Sequence, residues 1–189
     1  QAFRSQVLVD GTGDGDVAAR AGAAFRLGRD DRKMQPATLM FKVGGVDMSR
    51  AVFPGSFETL VQTEKGELQA LARQHLPFPA GHVLLYASPI PGVVTCNMTN
   101  CIDVDGTDAA ALTRAEQVCR SQLTPIVDFL RAYVPGYAHC YVVSAASMVG
   151  IRETRHFVGM KQLTESDILS ARQFDDWVVR GAHFGFDVH

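Results

Sequence analysis

The alternation of apolar runs with glycine, proline and aspartate predicts a definite order of elements. Gln6-Val7-Leu8-Val9 reads as a strand, Asp10 to Asp16 as a Gly-rich turn, and the Ala-rich run from Val17 to Phe25 as the helix that follows. Ala37 to Val46 is β-prone, entered after Pro36 and closed by Gly44-Gly45. Phe57 to His75 carries Leu60, Val61, Leu68, Leu71 and Ala72 at partly helical spacing, broken by Gly66, and predicts one helix or two short ones. Pro77 and Pro79 stop it, His82 to Ala87 makes a strand, and Pro89 and Pro91 force a turn before a strand from Val93 to Met98. Strand, turn and strand suggest antiparallel pairing.

The clearest helix places Leu112, Ala115, Cys119, Leu123, Ile126, Leu130 and Tyr133 on one face, with Thr113 as cap and Glu116 three residues on. Pro125 should kink it. After Pro135-Gly136, Cys140 to Ala146 reads as another strand. Leu163 to Ile168 reads as a loop and a helix capped by Thr164 with Asp167 at the reciprocal position. A last helix near Phe174 to Arg180 carries Trp177, and core packing accounts for Trp177, Val178 and the Phe184/Phe186 pair.

Composition narrows the functional classes. The chain has 189 residues, 47% of them hydrophobic, enough for one or two domains with a real core. A net charge of −2, with basic residues scattered among acids, gives no stripe for a nucleic-acid backbone. No apolar run is long enough to span a membrane, and the opening residues lack the layout of a secretion signal. A cytoplasmic location is the expectation. Cys96, Cys101, Cys119 and Cys140 fit no zinc spacing and read as free, mostly buried thiols. The six histidines include no pair at H-x-x-x-H spacing, and Asp103, Asp105 and Asp108 are explained by turn chemistry, so no metal is expected.

Two segments carry candidate chemistry. In Asp10-Gly11-Thr12-Gly13-Asp14-Gly15-Asp16, glycine lets a ligand approach the backbone closely, and the next helix offers N–H groups and a positive dipole end to a phosphate. Thr12, Gly13, Asp14, Gly15 and Asp16 are therefore candidate contacts to a nucleotide cofactor. The alternative is a plain strand-to-helix turn in which Asp14 or Asp16 caps the helix. A calcium loop fails because Ala21 stands where the twelfth-position Glu belongs. The second segment is Gly150-Ile151-Arg152-Glu153-Thr154-Arg155-His156, with two guanidiniums, a carboxylate and an imidazole. An extended backbone would turn Arg152, Thr154 and His156 one way and Glu153 and Arg155 the other. Arg152 and Arg155 tying the strand to neighbouring acids is the competing reading.

Taken together, VDGTGDGDVAARAGAAF, QPATLMFKVGGVD, LLYASPIPGVVTCNMT, DGTDAAALTRAEQVCR, FLRAYVPGY, GIRETRHFVG, LTESDIL and RGAHFGFDVH resemble a bacterial family of FAD-dependent oxidoreductases, in the expected order and over nearly the full length. The resemblance implies FAD as cofactor and redox transfer on an organic small molecule. It places GIRETR near the interface of substrate region and cofactor, and FDVH near the flavin and substrate, so that Arg152, Glu153, Arg155 and His189 become the candidate catalytic residues. His156 stands where the family often has Arg. The family's opening G-x-G-x-x-G turn and its closing flavin-contacting segment are absent here, which suggests an interior piece of a longer protein.

The expected fold is α/β or α+β, with a mixed, largely antiparallel sheet packed by helices. Residues 1–35 are expected to belong to the FAD-binding region, 36–149 to a substrate-domain sheet with its helices, and 150–189 to a segment returning toward the cofactor. A second possibility is a non-catalytic binding or interaction domain without bound flavin.

Overall fold

A computed structural model describes residues 4–183. In chain order its elements are α1 (Asp16–Arg20), β1 (Phe25–Leu27), β2 (Phe41–Gly44), β3 (Gln62–Thr63), β4 (Gly66–Glu67), α2 (Leu68–His75), β5 (Leu85–Ala87), β6 (Val94–Cys96), α3 (Ala109–Ser121), α4 (Leu123–Tyr133), β7 (Tyr141–Ala145), β8 (Arg155–Phe157) and α5 (Glu165–Leu169). The central sheet has the order β5-β6-β2-β7, and β1-β8 and β3-β4 form two-stranded ribbons. Every ladder is antiparallel.

Register follows from which residues must leave water. Leu85, Cys96 and Phe41 stand opposite one another on three neighbouring strands, with Val94 opposite Val43 in the next inward row. All five are buried and pack with Leu68, Leu71 and Ala72 of α2 and Ile126, Phe129 and Leu130 of α4. Each such aliphatic or aromatic side chain contributes about 1.5–3 kcal/mol on burial. A second cluster joins Leu39, Cys101, Val104 and Val149 to Ala115 and Cys119 of α3. Helices thus cover one antiparallel sheet, the α+β form of the expected class. No helix among the described residues is long and apolar enough to cross a membrane.

The expected helical face holds, since Ala115, Cys119, Ile126 and Leu130 are all fully buried. Its cap and its kink lie elsewhere. Asp108 caps α3, accepting from the Ala110 and Ala111 amides, while the Thr113 hydroxyl donates back to the Ala109 carbonyl inside the helix. Pro125 lacks an N–H and crowds the carbonyl four residues earlier, so the helix breaks at Gln122 and Pro125 sits in the first turn of α4.

Three other expectations fail. Gln6 to Val9 is no strand: Val7, Leu8 and Val9 are exposed and pair with nothing among the described residues. Residues 62–67 of the expected Phe57–His75 helix are instead the β3-β4 hairpin, turned at Glu64-Lys65 with Gly66 at φ 132° opening β4, and α2 starts only where Glu67 caps Gln69 and Ala70. Phe174 to Arg180 is irregular; Trp177 leans on Phe174 with centroids 6.4 Å apart, its Nε1 is buried without a partner among the described residues, and Val178 is exposed rather than in the core. Phe184 and Phe186 lie outside the described residues. The Thr164–Asp167 capping box forms as expected, and the four cysteines are free and buried.

Three buried polar side chains pin main chain that the sheet leaves unpaired. Gln69 exchanges two hydrogen bonds with Val83, at 2.9 Å each. Gln122 does the same for Asn100, at 2.8 Å each. The Thr99 hydroxyl accepts from the Leu39 amide at 2.7 Å and donates to its carbonyl at 2.9 Å. Replacing Thr99 by valine keeps the shape but strands both Leu39 groups, so denaturant unfolding of Thr99→Val should show a loss of about 1–3 kcal/mol. An unchanged midpoint would mean that this clamp carries no weight.

Candidate functional site

The two segments with candidate chemistry meet in space. The Thr154 hydroxyl donates to Asp14 Oδ1 at 2.9 Å across 140 positions of sequence. Arg155 Nη1 donates to the Asp14 carbonyl at 2.7 Å and to Asp16 Oδ1 at 2.8 Å. The Arg155 guanidinium also lies 5.5 Å from the centre of the Phe25 ring, and β1 pairs with β8 through Phe25 and Phe157. Gly15, at φ 64°, sits so close to Phe157 that a Cβ there would fall 2.1 Å from the ring. Glycine is required on both counts.

Within the bend, Asp10 does what the sequence assigned to Asp14 or Asp16. Its carboxylate accepts from the Thr12 amide and hydroxyl and, at 2.8 Å, from the Ala18 amide inside α1. The Thr12 hydroxyl in turn accepts from the Asp16 amide at 2.8 Å. The Thr12 hydroxyl, followed by the Ala18 and Thr12 amides, holds the Asp10 carboxyl below its ordinary value. The amides expected to face a phosphate are therefore taken up within the protein. The outer side is open: Gly11, Thr12 and Gly13 are exposed, and a Cβ on either glycine would meet nothing within 4 Å.

These residues suit part of a flavin nucleotide. An open glycine backbone admits close approach, and a bend carrying Asp10, Asp14 and Asp16 against Arg155 is rich in acceptors. Acceptors match the hydroxyls of a ribose or ribitol chain, whereas a pyrophosphate would meet like charge.

In the second segment only Arg155 onward is strand, so the expected alternation of faces does not hold. The loop before it lets Glu153 reach His156 Nε2 at 2.7 Å, although the two were expected on opposite faces, and Glu153 also accepts from the Gln35 amide at 2.6 Å. Arg152 turns away from Arg155. Its Nη1 donates to the Pro36 carbonyl and, at 3.0 Å, to the Thr38 hydroxyl. Among the described residues, Arg155 pairs with an acid and Arg152 does not. His189 lies outside the described residues.

Arg152 stands at the rim of a cavity of about 280 Å³ lined by Pro36, Thr38, Phe57, His82, Leu84 and Asn100. Phe57 meets His82 edge-to-face with centroids 5.0 Å apart. Asn100 Oδ1 is buried with no hydrogen-bond partner among the described residues, an arrangement that ordinarily costs about 1–3 kcal/mol. The clamps described above fix this wall: Thr99 holds Leu39 beside Thr38, Gln69 holds Val83 between His82 and Leu84, and Gln122 holds Asn100 itself. Sequence reasoning passed over Thr38, His82 and Asn100, since nothing in their spacing links them. A larger cavity of about 730 Å³ lies among residues 161–182, and of the described candidate catalytic residues, Arg152, Glu153 and Arg155, none lines it. Among the described residues no group of three His, Cys, Asp or Glu side chains stands ready for a metal.

Because the folded Asp10 carboxyl titrates below 3.8, its hold on Ala18 is present above that value and lost as pH falls through the lower folded one. Amide exchange should show the Ala18 N–H losing protection on acidification. In Asp10→Asn, protection should already be reduced at neutral pH and respond weakly to acid; an unchanged profile would remove Asp10 from this role.

A family model described as FAD dependent oxidoreductase matches residues 1–189. No curated protein and no solved structure matched the chain.

Proposed function

The chain belongs to the family of FAD-dependent oxidoreductases, and from that premise we propose that it takes part in flavin-mediated redox transfer on an organic small molecule, with cofactor at the Asp10–Asp16 bend and substrate on the Arg152 side. FAD is the family's cofactor and supplies the electron chemistry when bound. The observation that carries the reading is the joining of the bend to the GIRETR segment through Thr154 and Arg155.

In this proposal the residues divide the work. Gly13 presents open backbone to the nucleotide, with Thr12 exposed beside it. Asp14 and Asp16 accept from its sugar hydroxyls while Arg155 neutralises part of their charge and sets their position. Glu153 orders the approach by holding the Gln35 amide, and Arg152 presents positive charge to the substrate. His189, from its place in the FDVH segment, holds or releases a proton at its imidazole as substrate is oxidised or reduced.

Gly13 offers a selective test, since a side chain there meets no protein atom. Gly13→Val should unfold at the wild-type temperature yet retain FAD about tenfold less tightly, read from flavin absorbance after gel filtration. Arg155→Met should lose flavin too. Retention at the wild-type level in both variants would move the cofactor away from this bend. His189→Ala should lower turnover about 10²-fold or more, the range for a lost general acid or base; unchanged turnover would exclude that role.

A further inference from the structure

We infer that the hollow among residues 161–182 is a binding site for a neutral, largely apolar carbonyl compound, with the carbonyl oxygen on the Trp177 indole N–H and the body against Leu163, Ile168, Phe174 and Val179. Neither the Asp10–Asp16 bend nor Arg152 lines it, so the inference goes beyond the redox reading and does not rest on it.

Size and lining call for an apolar occupant. A volume of about 730 Å³ falls among those of small-molecule sites and holds on the order of twenty non-hydrogen atoms, taking about 30 Å³ as the share of one water. Its apolar wall is not core: Leu163 and Val179 are 66% and 68% exposed, and Ile168, held in place by the capped helix α5, is 47% exposed. Aliphatic side chains gathered in water around one hollow gain from a molecule that covers them.

The charges select against ions. Both cations of the described lining already hold a carboxylate of that same lining, Lys161 Nζ with Asp176 Oδ2 at 2.5 Å and Arg172 Nη1 with Asp167 Oδ1 at 3.0 Å. Arg172 also lies over the Phe174 ring, 5.0 Å from its centre. An entering anion would face Asp167 and Asp176, and an entering cation would face Lys161 and Arg172.

One polar requirement stays open. Trp177 Nε1 is buried with no partner among the described residues, whereas a buried indole N–H ordinarily has an acceptor. Indole nitrogen donates and does not accept, so the missing partner is a lone pair that the occupant carries in. Trp177 is half-buried on chain that is neither helix nor strand, and a turn about its side-chain bonds brings the N–H onto a carbonyl in the hollow.

The test titrates the flavin-free protein with benzophenone, diphenylmethane and para-benzoylbenzoate, followed by calorimetry and by the emission of Trp177, the single tryptophan of the chain. Benzophenone should bind and change that emission. Diphenylmethane, the same body without the oxygen, should bind about tenfold more weakly, the worth of one hydrogen bond to a buried group. The carboxylate should bind more weakly than benzophenone as well. Near-ultraviolet irradiation of bound benzophenone should attach it within residues 161–182. Absence of benzophenone binding, equal affinity for diphenylmethane, tighter binding of the carboxylate, or labelling elsewhere would each overturn the assignment. In Trp177→Phe the preference for benzophenone over diphenylmethane should vanish; a role in packing alone would weaken both alike and keep the preference, which would remove the indole from the site. Riboflavin added in excess should leave benzophenone affinity unchanged, and competition between them would give the hollow to the flavin ring and overturn the inference while leaving the family's cofactor in place.

Discussion

The arrangement rests on the contact of Thr154 and Arg155 with Asp14 and Asp16. A five-residue helix such as α1 is too short to persist on its own, and it buries no residue of its own. It is held from outside. Arg155 supplies a cation whose side chain is only 14% exposed, and removing it would leave Asp14, Asp16 and Asp10 facing one another without a counter-charge. The pairing also sets the distance between the open glycine bend and everything attached to the following loop, so a local ion pair becomes a long-range constraint.

A second constraint comes from buried amides and one hydroxyl. The central sheet is short, and its strands end before the chain reaches the cavity beside Arg152. Backbone groups beyond those ends still need partners once water is removed. Gln69, Thr99 and Gln122 provide them, each serving both the N–H and the C=O of a single residue. Such reciprocal clamps replace the missing strand neighbour and keep the cavity wall rigid, which lowers the ordering cost of binding.

What could be read from the sequence was what depends on local spacing. The helical face from Ala115 to Leu130 and the places of the four central strands along the chain follow from periodicity, and the Thr164–Asp167 box from cap chemistry. Pro125 was legible as a disruption but not as a break at Gln122, because where a helix parts depends on which residue can leave it. The clamps were illegible for another reason. Glutamine and threonine signal surface in a composition argument, and their partners stand 14, 22 and 60 positions away. Asp10 was missed similarly: its cap on α1 spans eight residues, beyond the usual reach of a capping rule.

Arg152 and Arg155, three residues apart, show how one short segment serves two ends. Strand β8 begins at Arg155, and its pairing with β1 commits that side chain to the bend. Arg152 lies before the strand, where the backbone is free of ladder geometry, and it turns to Pro36 and Thr38 instead. Glu153 between them bonds Gln35, next to the carbonyl that anchors Arg152. A displacement of the loop would therefore shift Arg152 and the Asp14 contact together. In the proposed reading, cofactor and substrate are positioned by one rigid turn rather than by two independent sites, so a change at the bend should be felt at the cavity even though no residue belongs to both.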